Sequence, residues 1–140
     1  MKINLLNYFD EGALSNFPSS IAVKDENCDI TFAGLENYSK NLAFQIINSL
    51  GSTGYPIAVF MPKCSEVIIS NLAILYSGNF YTNFDFSSPE ERIKNLIKSI
   101  APRLIISNQE GINKLKNLDM FDENLILNVD DSISSKILHD

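Results

Sequence analysis

The stretch Gly51-Ser52-Thr53-Gly54 has the residue types of a phosphate-binding loop. Such a loop needs backbone N–H groups converging at a helix start and a lysine to meet the phosphate charge. Here Tyr55-Pro56-Ile57 follows, no lysine is near, and the stretch leaves a helical pattern instead of opening one. A helix carboxyl end carries partial negative charge and repels an anion, so a helix-to-strand turn is the expected role. His139 is the only histidine and has no cysteine beside it, so no metal site or nucleophile–base pair is expected there. Glu90-Glu91 and Asp130-Asp131 are sequence neighbours. Adjacent residues do not share a helix face, which argues against paired acid–base work, and acidic residues at a helix start suit its dipole. Cys28 and Cys64 form no CxxC pair and are expected to be free thiols in a reducing compartment. No GxSxG, HExxH or GxGxxG pattern occurs. No residue is therefore assigned a catalytic, cofactor-binding or metal-binding role.

The elements that carry these residues alternate. Leu5, Leu6 and Phe9 share one helical face, and Pro18 ends whatever helix runs there. Ile21-Ala22-Val23 and a run from Cys28 to Phe32 flank the polar turn Lys24-Asp25-Glu26-Asn27, which predicts a small β-hairpin. Thr31 is placed to cap a helix whose stripe is Leu35, Tyr38, Leu42, Ile46 and Leu50, with Gly51 at its left-handed end. Residues 57–61 form a continuous apolar run between Pro56 and Pro62, as a strand buried on both faces requires. A helix through Val67, Ile68, Asn71, Leu72, Leu75 and Tyr76 closes at Gly78, and a strand over 80–84 follows. Ser88-Pro89-Glu90-Glu91 reads as a capping box, opening a helix with Ile93, Leu96, Ile97 and Ile100 inward. Pro102 ends that helix, and a strand over 103–107, a helix over 109–118 and a strand over 125–129 complete the series.

This alternation predicts an α/β fold with a mostly parallel sheet and βαβ crossovers, preceded by the small hairpin. Residues 1–140 are read as one α/β segment without a linker, with 131–140 as a frayed tail or an element cut midway. The net charge of −6 and the scattered lysines exclude a basic footprint for nucleic acid or an anionic membrane. Asn4, Asn7 and Asp10 interrupt any export-signal core, and no apolar run has membrane-spanning length, so the cytoplasm is the expected location.

The run Leu72-Ala73-Ile74-Leu75-Tyr76-Ser77-Gly78-Asn79-Phe80-Tyr81-Thr82-Asn83-Phe84-Asp85, with Pro89 and Arg92 beyond it, resembles the second core motif of adenylate-forming enzymes. Ile30-Thr31-Phe32-Ala33-Gly34-Leu35 resembles the first core motif, usually Thr-Tyr-x-Glu-Leu. Phe17-Pro18-Ser19-Ser20-Ile21-Ala22-Val23 resembles the family's entry, and Ile57 to Glu66 its buried strand and following turn. The likeness spans about residues 17–107 in the family's order and is nearest to amino-acid adenylation domains and D-alanine ligases. Three positions depart from the pattern: Gly34 stands for Glu, Asn83 for Pro and Ser77 for Ala.

The resemblance implies an N-terminal portion of a ligase that uses ATP and Mg²⁺ to convert a carboxylate, read as an amino acid, into an acyl-adenylate. A carrier-protein or CoA thiol would then accept the acyl group. In that family ATP binding depends on a later Ser/Thr/Gly-rich loop ending in Pro-Lys-Gly and on a mobile C-terminal domain, and this chain has neither pattern. Gly78, Asp85 and Arg92 are accordingly expected to be structural, with Asp85 and Arg92 tying the loop to the next helix. The chain alone is expected to be inactive, to lack cover from the remainder of its enzyme, and to self-associate through Phe80, Tyr81, Phe84 and Phe86 and the helix over 67–76. Two other readings stand beside this one: a non-catalytic interaction module that keeps the fold, and a free-standing doubly wound nucleotide binder with its site at the strands' carboxyl ends.

Overall fold

The computed structural model describes Leu6 and residues 9–24, 29–118 and 122–132. A wide helical turn, Phe9–Leu14, is followed by β1 (Ile21–Lys24) and β2 (Asp29–Thr31), paired antiparallel. The expected hairpin is present; its turn and Cys28 lie outside the described residues. Leu6 and Phe9, expected on one apolar face, both enter the core, whereas Leu5 lies outside the described residues.

Next comes α1 (Phe32–Leu50). Thr31 Oγ1 accepts the Gly34 N–H at 3.0 Å, satisfying one of the donors a helix start leaves unpaired. At the other end Gly51 adopts φ 70° and donates its N–H to Ile47 O at 2.8 Å. Between these caps Leu35, Tyr38, Leu42 and Ile46 are buried, as their three- and four-residue spacing demands.

The rest of the chain builds a parallel sheet. Its strands are β3 (Pro56–Phe60), β4 (Phe80–Asn83), β5 (Leu104–Ser107) and β6 (Ile126–Asn128), in the order β4-β3-β5-β6. The connections run through α2 (Ser65–Tyr76), α3 (Glu90–Ile100) and α4 (Gln109–Lys116), and α5 (Val129–Ser132) follows β6. β3 alternates its side chains between two cores. Ile57, Val59 and Met61 join the cluster built from α1 and α2, whereas Ala58 and Phe60 join the one built from α3 and α4. The central strand therefore has no polar face, which is why it reads as an unbroken apolar run. β4 lies on one side of β3 and β5 on the other, and the crossover helices lie on opposite faces, as one handedness for both connections requires.

One helix start differs from expectation. Pro89, with ψ 152°, is the flanking residue of α3, and no side chain caps its first turn. Asp85 is the reason. Its Oδ1 accepts the Ser87 N–H at 3.0 Å and the Ser87 hydroxyl at 2.8 Å, while its carbonyl accepts the Ser88 N–H at 3.1 Å. A turn thus closes before the helix begins, and Ser88 sits one residue too early to reach the orphan donors. Glu91 falls at the second helical position, out of register with a capping box.

Of residues 131–140, Asp131 and Ser132 end the short α5, and 133–140, His139 included, lie outside the described residues.

Candidate functional site

Ligands of open α/β sheets collect at the carboxyl ends of the strands, where neighbouring connections diverge. Here that point lies between β3 and β5, and the protein closes it. Asn108 caps α4 by accepting the Gly111 N–H at 2.9 Å, which sets the helix start directly over the end of β3. A Cβ on Gly111 would lie well under 3.0 Å from both Ser107 Oγ and the Phe60 carbonyl oxygen. Ser107 Oγ itself donates to that carbonyl. The point between β3 and β5 therefore holds no crevice. The sequence signal for this was Gly111 itself, an isolated glycine in a helical pattern, which marks a close approach.

An open cleft of about 710 Å³ lies instead to the β4 side of β3. Val59, Met61 and Phe84 give it an apolar floor, and Lys63, Asn83 and Asp85 stand at its rim. The Ser87 N–H, then the Ser87 hydroxyl, hold the Asp85 carboxyl below its ordinary value, with smaller attractions from Lys63 and Arg92. No ion pair joins Asp85 to Arg92. The expected tie between loop and helix is therefore made through Ser87, and Arg92 contributes only charge at a distance. At Cys64, at the start of α2, burial, then its contact with Glu66, pushes the thiol up to about 12.

Two second-motif residues, Gly78 and Asn79, make defined turn contacts. Gly78 takes φ 83°, a left-handed backbone that favours glycine, and its N–H bonds Leu75 O at 3.0 Å. Asn79 beside it is buried: its Oδ1 accepts the Tyr55 N–H at 2.9 Å and its Nδ2 donates to Ser77 Oγ at 3.1 Å. Those bonds fasten the 51–55 turn, which the sequence read as a plain connector, to the end of α2. Gly54 donates to Gly78 O at 2.9 Å in the same place.

The aromatic run divides. Phe80 and Tyr81 are exposed as expected, whereas Phe84 is buried in the second core. Phe86 packs on the Phe60 ring at 5.0 Å beneath Lys114, whose Nζ lies 3.9 Å from the ring and donates to Phe86 O at 3.1 Å. Phe84 is thus a core ring, whereas Phe86 is half-buried against that core and lines the cleft.

Among the described residues, no three His, Cys, Asp or Glu side chains gather where they could hold a metal ion. No described helix is long and apolar enough to cross a membrane.

A profile of the AMP-binding enzyme matches residues 9–139. The chain belongs to the AMP-binding enzyme family. The nonribosomal peptide synthetase chyA of Penicillium rubens is 28% identical over 101 residues, covering 72% of this chain and 4% of that protein. Among solved structures, the nonribosomal peptide synthetase FmoA3 in its AMPPNP-bound form superposes with a TM-score of 0.79 at 20% identity, covering 94% of this chain and 14% of that one. Coronafacic acid ligase from Pectobacterium brasiliense gives 0.78 at 22% identity, covering 94% and 29%. The family's N-terminal α/β fold is thus shared, over a small share of each relative's length. The hairpin and four-stranded parallel sheet are its elements here.

Proposed function

We propose that this chain is a structural, N-terminal part of an enzyme that activates a carboxylate, read as an amino acid, as an acyl-adenylate and passes it to a carrier-protein or CoA thiol. The observation that supports this reading is the closed strand-end crevice inside a fold of the AMP-binding family. The chain supplies scaffold, and the groups that hold ATP and Mg²⁺ belong to other parts of the enzyme. The peptide synthetases among its relatives favour an amino acid over a fatty acid as substrate.

The test is amino-acid-dependent exchange of pyrophosphate into ATP, measured on the purified 140-residue chain. Background exchange is expected, and exchange above background overturns the assignment of chemistry to other segments. A second reading, a non-catalytic interaction module, is favoured by the two hydrophobic clusters that cover both sheet faces. The coding sequence downstream of Asp140 separates the two. An open frame running into a Ser/Thr/Gly loop with Pro-Lys-Gly supports the enzyme, and an immediate stop codon supports the module.

A further inference from the structure

Among the described residues β4 is an edge strand, paired with β3 alone. The Phe80 N–H bonds Tyr55 O at 3.2 Å and the Phe84 N–H bonds Val59 O at 2.9 Å, so the even-numbered residues of this strand face β3. Strand geometry then turns the N–H and C=O of Tyr81 and Asn83 outward, without a strand to meet them. Unpaired edges template association unless charge, proline or a bulge guards them. The opposite edge is guarded, since Asp122 and Asp130 flank β6. The β4 edge is not: residues 77–84 contain no charged residue and no proline, although the chain carries a net −6. Phe80 is 51% exposed and Tyr81 36% exposed at this edge.

We propose that the β4 edge is the contact between two copies of this chain, paired antiparallel about a twofold axis at Thr82. That axis sets Tyr81 opposite Asn83 of the second copy, and Asn83 opposite Tyr81. Each of these pairs exchanges two backbone hydrogen bonds, so every outward group of both residues is met. Thr82 faces Thr82 across the closer, non-hydrogen-bonded position, a favourable cross-strand pair. Phe80 comes to lie over the Phe84 end of the second copy, on the same sheet face, and is thereby covered. The acidic residue nearest the edge, Asp85, is held away from its counterpart by six residues of strand, roughly 20 Å, which exceeds the screening length at physiological salt. The contact is self-complementary and closes after two copies.

The experiment is sedimentation equilibrium of the 140-residue chain over a wide dilution series, with amide hydrogen exchange read at low and high concentration. A monomer–dimer equilibrium is expected, with the Tyr81 and Asn83 amides slowed only at high concentration. Asn83→Pro removes an outward donor that makes no bond within the chain, and Tyr81→Lys places like charges near the axis. Each is expected to weaken the dimer at least tenfold, and the two together cover the case in which one fails to fold. A monomer at every concentration overturns the proposal. So does open-ended growth, or a dimer whose Tyr81 and Asn83 amides exchange at the same rate as in the monomer.

Discussion

Replacing Gly111 by alanine tests the closure of the strand-end crevice through the sign of its effect. In an open helix position Gly→Ala stabilises by about 1 kcal/mol, because alanine is the better helix former. At Gly111 the added methyl meets Ser107 Oγ and the Phe60 carbonyl well under 3.0 Å, with the Phe60 ring at 3.4 Å. The carbonyl is backbone of the central strand and cannot rotate aside, so the start of α4 must lift. Overpacking of this kind costs about 1–3 kcal/mol. Lifting also strains the Asn108 cap and the Ser107–Phe60 hydrogen bond, each worth about 1 kcal/mol. The net expectation is a loss of about 2–4 kcal/mol, a large part of the roughly 5–15 kcal/mol typical of a domain. With a urea dependence of about 2 kcal/mol per molar, the unfolding midpoint should fall by about 1–2 M. Gly12→Ala is the control: nothing lies within 4 Å of its added methyl, and no loss is expected. Adding Ser107→Ala to Gly111→Ala should recover part of the loss by removing one of the two clashes. A stabilised Gly111→Ala protein would refute the reasoning and leave the crevice open.

Three further outcomes are expected. Asn79→Ala removes the acceptor of the Tyr55 N–H and should cost about 2–3 kcal/mol, read by urea unfolding. Thr31→Ala should cost about 1 kcal/mol, whereas Ser88→Ala should stay within about 0.5 kcal/mol because Ser88 caps nothing. The Cys64 thiol, raised from 9.0 to about 12, should alkylate far more slowly at pH 8 than in urea, read by mass on its own peptide. Because its folded value is the higher one, its contribution to stability is intact below pH 9 and is lost as pH rises towards 12; Cys64→Ala should flatten that alkaline slope.

Local signals in the sequence were sufficient where one short stretch decides the outcome. Thr31, the α1 stripe and Gly51 fix a helix from its own residues, and the apolar run after Pro56 suits the doubly covered strand that it forms. They were insufficient where a distant or competing group intervenes. Ser88-Pro89-Glu90-Glu91 matches a cap, yet Asp85 closes a turn just upstream and shifts the helix start by one residue. Phe84 and Phe86 belong to a stretch as aromatic as Phe80 and Tyr81, yet packing against distant residues buries Phe84 and half-covers Phe86 under Lys114. The close approach of Gly111 to Phe60 joins elements far apart in sequence, and the isolated glycine was its one local sign.

The place of β3 at the middle of the sheet bears on the order in which the protein folds. Its pairing with β4 joins residues 24 apart, and its pairing with β5 joins residues 47 apart. A twofold longer loop costs only about 0.6 kcal/mol more to close, so chain entropy alone favours the β4 side by roughly threefold. During synthesis the bias is larger, since β3, α2 and β4 emerge before β5 exists, and domains assemble from the N-terminal side as they appear. In that interval Ala58 and Phe60 are bare on the face that α3 and α4 will later cover. That face of the central strand stays without cover until the helices after β4 dock on it.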